Sequence, residues 1–335
     1  MTCHIALRAM FSLTLGLFLS ATAHAQLFRT YIAPDGVDGN PCTLAAPCRL
    51  LPAALATVID GGEIWMLGSA NYNTGPVNIA KSVTILAVPG ALGSVVAIGG
   101  NAINIATAGV KVSLRNLVIV PFVGGGGFHG IQMTAGASLT VENCLIANLP
   151  ETGIVVTGVT SVVVTDTTIR SNRNGLLLQD GARATVTRAT ISGHISTGIY
   201  VGGNVAITTT ADIADTTVSN NDQGIRAQSA NAGAIVKVSV RDSRAVRNGS
   251  HGVTAESLAT GSVTLSASNN IISNNNSVGI FTVSPGAKVW ASGNTVSDNG
   301  TGLNNQGGLL ESAGDNAVRN NTTQSSGVIT AVAKM

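Results

Sequence analysis

Residues able to do chemistry are sparse in this chain: 335 positions, charged residues at 10%, five histidines and four cysteines. His129 and His251 each stand just before a glycine, at a turn position that other repeats fill with Thr152, Asn174, Thr197 and Gln223, and His194 follows Ile191 in a polar turn. Turn positions of this kind predict solvated side chains rather than general bases. Glycosidases need two carboxyl groups roughly 5 to 9.5 Å apart, and a calcium-assisted lyase needs clustered oxygen ligands and a base. Glu256 has no second acid in an adjacent outward row. The sequence therefore assigns no catalytic residue, no metal and no cofactor. The run Gly124 to Gly127 lacks the strand, helix and Lys of a phosphate loop and predicts a flexible bulge.

Binding groups are better represented. Tyr200, Arg226, Gln228, Thr254 and Glu256, with Gln179, fall on alternate positions of successive predicted strands, all facing outward. They offer a ring face, a fixed cationic fork, amides and a carboxylate, the groups a sugar chain would use, and the Arg suits a uronate carboxylate. Mixed polar residues are also what any solvent-facing row displays.

The elements that hold these residues come from a repeat. A glycine followed by an aliphatic residue recurs at Gly130, Gly153, Gly175, Gly198, Gly224, Gly252, Gly279 and Gly302, in steps of 23, 22, 23, 26, 28, 27 and 23 residues. Each unit continues with a second apolar strand, a polar turn and a third short strand ending at Ile146, Ile169, Ile191, Val218, Val246, Ile272, Val296 or Val318. With no helical stretch between strands, a doubly wound sheet is excluded. The expectation is an all-β, single-stranded, right-handed parallel β-helix of roughly ten coils, three strands each, spaced about 4.8 Å apart. Its small β-branched content fits an interior with few aromatic rings, since Phe, Tyr and Trp make up 3% of the chain.

Glycine-to-marker lengths grow only between Gly198 and Ile272, which predicts loops at Gly202 to Asp212, Ser229 to Gly233 and Ser257 to Gly261, beside the candidate face. Asn116, Asn143, Asp166, Arg188, Asp215 and Asn269 stand three residues before the aliphatic marker, and Asn270, Asn294 and Asn316 two before it. Stacked amides there predict an asparagine ladder, with charge pairing where Asp166, Arg188 and Asp215 follow one another. Leu50, Leu51, Ala54, Leu55 and Val58 share a helical face, predicting a capping helix from about Arg49 to Ile59, ended by Gly61-Gly62, with Pro52 in its first turn. Gly327 to Val332 predicts a final strand.

Residues 1–25 combine His4 and Arg8, an apolar stretch from Met10 to Leu19 and the small-residue end Ala21-Thr-Ala23-His24-Ala25, the pattern of a secretory signal cleaved near Ala25. Its removal leaves 17 basic and 16 acidic residues, a balance that gives no reason to expect nucleic acid. No later apolar run is long enough to cross a membrane. In an exported chain Cys42 and Cys48, flanking a turn, predict a local disulfide, and Cys144 a buried thiol. The domain reading is 1–25 signal, 26–62 N-terminal cap and 63–335 β-helix.

The stretch Arg29-Thr-Tyr-Ile-Ala-Pro-Asp-Gly-Val-Asp-Gly-Asn40, the pair Pro41-Cys42 and Pro47-Cys48-Arg49, Gly61-Gly-Glu-Ile64 and Ile79-Ala-Lys-Ser-Val-Thr-Ile85, followed by the coils, resembles the exported bacterial right-handed β-helix repeat proteins. That group is similar in fold to the pectin-lyase-like superfamily and largely lacks assigned activity. The resemblance implies architecture strongly and chemistry weakly. The expected function is non-catalytic: an exported monomer, periplasmic or extracellular, contacting polysaccharide at the cell surface or matrix. A polysaccharide lyase or glycoside hydrolase, and a structural or adhesive rod, are the alternatives.

Overall fold

The computed structural model describes residues 27–258 and 260–333. The signal-peptide reading falls on residues outside that set. Three parallel sheets wrap one axis. Sheet I, the glycine-aliphatic sheet, has eleven strands running from Val77–Ile79 to Thr323–Ser326; sheet II has thirteen, from Leu27–Ile32 to Ile329–Val332; sheet III has eleven, from Ala70–Asn71 to Ala317–Arg319. Each strand pairs in parallel with its equivalent one coil away, as Ser138, Ser161, Arg183 and Thr210 do in sheet II. The chain is a right-handed parallel β-helix.

Alternation decides which side chains enter the tube. In sheet I the register stacks Ile131, Ile154, Leu176, Ile199, Ile225, Val253, Ile280 and Leu303, all buried, into one column. Full burial of such a side chain contributes about 1.5–3 kcal/mol. Tyr72 is the aromatic ring fully buried among the described residues, and its hydroxyl donates to the Gly68 carbonyl at 2.6 Å. The recurring glycine has a steric cause: a Cβ on Gly153 would lie 2.6 Å from Ile169 Cγ2 and 2.8 Å from the Gly175 carbonyl oxygen. Only hydrogen fits where adjacent coils approach this closely.

The capping helix spans Leu51–Thr57, with Pro52 in its first turn and Leu51, Ala54 and Leu55 buried. It ends before Gly61-Gly62, because Val58 turns extended (φ −69°, ψ 143°) and begins the strand Val58–Met66. β-branched Val58 and Ile59 favour that strand, which pairs with Leu27–Ile32. The disulfide Cys42–Cys48 is formed, and its loop is sewn to the first strand by hydrogen bonds from Tyr31 N to Cys42 O and from Cys48 N to Tyr31 O.

Two sequence expectations change at the long coils. Of the predicted loops, Gly202 to Asp212 is strand at both ends, within Thr197–Gly203 of sheet I and Thr208–Ala214 of sheet II, whereas Ser229 to Gly233 lies between the strands Gln223–Ser229 and Ile235–Arg241, and Ser257 to Gly261 between Val253–Ser257 and Ser262–Ser268, as expected. Neighbouring coils lengthened together, so part of the extra length found ladder partners such as Thr208, Ile235 and Ser262. The marker is also displaced in one coil. Ala245, not Val246, is the partner of Val218 and Ile272; the larger side chain drew the assignment away from the inward position.

The corner columns resolve into three kinds. Asn116, Asn143, Asp166, Arg188, Asp215 and Asn269 all have φ between 50° and 57°. This row is a left-handed turn position, which Asn and Asp tolerate best, rather than a continuous amide stack. Within it Asn143 Nδ2 reaches Asn116 Oδ1 at 3.4 Å, and Arg188 pairs with Asp166 at 2.7 Å. The stacked amides are one residue further on, where Asn270 Nδ2 donates to Asn294 Oδ1 at 3.0 Å and Asn294 Nδ2 to Asn316 Oδ1 at 2.9 Å. Ser243, Thr216, Thr167 and Cys144 continue that column, and burial pushes the Cys144 thiol up to about 12.

The second amide ladder, at the corner between sheets III and I, went unread in the sequence. Asn221, Asn248, Asn275 and Asn299 each donate Nδ2 to the Oδ1 of the next, ending on Asn321, at 2.9 to 3.1 Å. Asn172 and His194 precede them in the same column. Every member stands three residues after its inward aliphatic, a spacing obscured once Val246 replaced Ala245.

Candidate functional site

The outer face of sheet I carries the candidate residues in two rows: Tyr200, Arg226, Thr254 and Phe281 in one, Gln179, Gly202, Gln228 and Glu256 in the other. Parallel strands one coil apart bring rows into side-chain reach, and the side chains close into a network. Tyr200 donates its hydroxyl to Gln228 Oε1 at 2.7 Å. Gln228 Nε2 donates to Glu256 Oε2 at 2.8 Å. Arg226 donates to the same oxygen through Nε at 3.1 Å and through Nη2.

Gly202 makes the Tyr200 geometry possible. A Cβ there would stand 2.4 Å from a Tyr200 ring carbon, so the ring lies across the glycine to reach Gln228. Burial raises the Tyr200 phenol above its usual range, with Arg226 nearby acting in the opposite direction. The phenol therefore stays protonated as a donor at neutral pH.

Two candidates behave differently from their sequence reading. Arg226 was expected to meet a uronate, but its fork is turned on Glu256, leaving an electrically balanced pair with side-chain exposures of 27% and 18%. Thr254 faces outward yet is only 4% exposed, and its Oγ1 has no hydrogen-bond partner among the described residues. Gln179 stands half-buried at the far end of its row, separated from Gln228 by Gly202.

His251, expected to be a solvated turn residue, is half-buried, its ring 4.8 Å from that of Phe281. Burial lowers its pKa, partly opposed by Asp222, and its Nδ1 is buried without a partner among the described residues. The apolar Phe281 beside a polar row was the signal for this contact. His129 is likewise half-buried, and its Nδ1 accepts the Thr152 N–H at 3.1 Å. Among the described residues no group of three or more His, Cys, Asp or Glu is placed to hold a metal ion. The Gly124 to Gly127 segment is folded onto its neighbour, with Gly125 O accepting Gly99 N–H at 2.6 Å.

The cluster thus defines a three-sheet β-helix presenting a polar, flat, ring-bearing face. The sequence model described as "Right handed beta helix region" matches residues 101–265 and 152–323, and the chain belongs to that family. No curated protein matches it by sequence. Among solved structures it is similar to pectate lyase Pel9A, at 16% identity and a TM-score of 0.58 over 93% of this chain and 79% of that one. It is also similar to XylC in complex with xylose, at 9% identity and 0.55 over 81% and 69%. The lacto-N-biosidase of Eubacterium ramulus aligns at 10% identity and 0.51 over 91% and 67%. At these identities the likeness is one of fold.

Proposed function

We propose that this chain is an exported, monomeric, non-catalytic polysaccharide-contacting protein, with residues 26–62 as its cap and 63–335 as the β-helix, and that the Tyr200 cluster on sheet I is where a sugar binds. One observation carries the reading: four side chains from three successive coils form a single hydrogen-bonded group across a solvent-facing sheet. Held this way, they lose little freedom on binding. The Arg226–Glu256 pair, joined to Tyr200 through Gln228, sets donors, acceptors and a ring in one group of balanced charge, which suits the hydroxyls and apolar face of a neutral pyranose better than a uronate. Glu256 Oε2 already accepts three hydrogen bonds, an arrangement for positioning rather than proton transfer. The Cys42–Cys48 bridge supports export.

Calorimetric titration with neutral galacto-, manno- and xylo-oligosaccharides is the test. Binding should weaken at least about tenfold in Tyr200→Ala and in Glu256→Gln, losses of about 1.4 kcal/mol or more. Gly202→Val should act likewise, by displacing the ring. Absence of binding across the set, or unchanged affinity in Tyr200→Ala, overturns the reading. A lyase or hydrolase is the second reading, favoured by His251, whose Nδ1 has no hydrogen-bond partner among the described residues, near Arg226 and Glu256. It requires unsaturated products or new reducing ends, lost in His251→Ala.

A further inference from the structure

We propose that the outer face of sheet II carries a second contact surface, separate from the Tyr200 cluster, which takes a linear acidic polysaccharide laid along the helix axis. In the register of this sheet Lys111, Arg183, Lys237 and Lys288 fall in one row. All four are exposed, and none is in an ion pair among the described residues. Every residue between them in the row is a serine or threonine. Counted in coils, the cations are three, two and two apart, so the row runs about 34 Å at about 4.8 Å per coil.

The acids around the row do not cancel it. Glu63 is paired with Arg29 and Glu142 with Arg115. Asp180, in the bordering turn, accepts the Asn204 backbone N–H at 2.6 Å. Asp212 is exposed in the neighbouring outward row, one acid against the four cations, and Glu311 lies in that neighbouring row one coil beyond Lys288. At its N-terminal end the row opens into a shallow depression shared by Ser82, Thr84, Lys111, Ser113 and Thr140. Single-file cations separated by hydroxyls match one chain of carboxylate-bearing sugars: the charges attract along the axis, and the hydroxyls supply hydrogen bonds between them. A duplex would need cations on more than one line to follow both strands. A lipid surface would be met by apolar side chains inserted beside the cations.

Affinity electrophoresis of the full chain through polygalacturonate, against the fully methyl-esterified polymer, tests the assignment. Retardation by the acidic polymer alone is expected, weakening as sodium chloride is added. Single changes Lys111→Gln, Arg183→Gln, Lys237→Gln and Lys288→Gln should each lower the association constant roughly two- to fivefold, and the quadruple variant should migrate freely while keeping the wild-type melting temperature. Tyr200→Ala should be retarded like the wild type, which separates this surface from the sheet I reading. Equal retardation of the quadruple variant, equal retention by the esterified polymer, or stronger binding to phosphatidylserine vesicles or duplex DNA than to polygalacturonate would overturn it.

Discussion

His194 shows how much one side chain can depart from the polarity of its neighbours. It takes the place of an asparagine in the second ladder: its backbone N–H donates to Asn221 Oδ1 at 3.0 Å and its ring Nδ1 accepts the Asn172 backbone N–H at 3.1 Å. One ring nitrogen cannot do all that an amide does, and Asn172 Nδ2 and His194 Nε2 are left buried and unpaired among the described residues. Burial lowers the imidazole to about 4, opposed by its backbone hydrogen bonds. The unfolded chain takes up the proton near pH 6.5 and the folded chain does not. Stability is therefore undiminished above about pH 6.5 and falls between there and pH 4, by about 3 kcal/mol. His194→Asn should remove most of that acid loss and raise stability at neutral pH; urea titrations at pH 7 and pH 4.5 measure both. The sequence displayed a histidine among polar turn residues, which signals solvent. What it hid was the three-residue offset from Ile191, which places the side chain inside the corner.

At the scale of elements, two asparagine-bearing columns at different corners of the tube do different jobs. Asn275 accepts Asn248 N–H and Nδ2 at 3.1 and 2.9 Å and donates to Asn299 Oδ1 and Ala245 O at 2.9 and 3.0 Å. Asn275→Ala leaves several buried groups without partners and should cost about 3 kcal/mol. Asn269 holds a left-handed turn instead, so Asn269→Ala should cost about 1 kcal/mol and Asn269→Gly less. Chemical denaturation of the three variants distinguishes the columns; equal losses for Asn275→Ala and Asn269→Ala would remove the distinction. Strand order, inward columns and the capping helix were legible because period-two alternation and glycine spacing are local signals. The long coils were legible only in part, since the stretch from Gly202 to Asp212 is largely strand. Extra residues look alike in a sequence whether they bulge or extend a ladder, and the difference rests on neighbouring coils lengthening in step.

Over the whole molecule, the N-terminal end of the tube is closed by the helix Leu51–Thr57 and by the Cys42–Cys48 loop hydrogen-bonded to the first strand. Linking residues so close in sequence stabilises by about 2 kcal/mol through the entropy of the unfolded chain. Reduction, or a Cys42→Ser/Cys48→Ser variant, should lower the unfolding free energy by that amount. Hydrogen exchange should rise first in Leu27–Ile32, with the distant coils unchanged, because a solenoid transmits such a loss only between neighbours. Of the six outward residues singled out in the sequence, Tyr200, Arg226, Gln228 and Glu256 join the cluster while Gln179 and Thr254 do not, and its wiring was not legible. That Arg226 would turn inward to Glu256 depends on two side chains one coil apart, a proximity the register alone creates.

Amide columns fasten two corners of the tube, and among the described residues the corner joining sheet I to sheet II has no comparable column. Those two seams keep the chain passing through them nearly constant in length, as in the three residues from Asn299 to Gly302 against four from Asn275 to Gly279, since a longer insert would pull a rung out of line. The unfastened seam can lengthen or shorten from one turn of the chain to the next at little cost. Evolution, or an engineer grafting a peptide, has its freest hand there, along a line that runs between the two faces assigned to sugars.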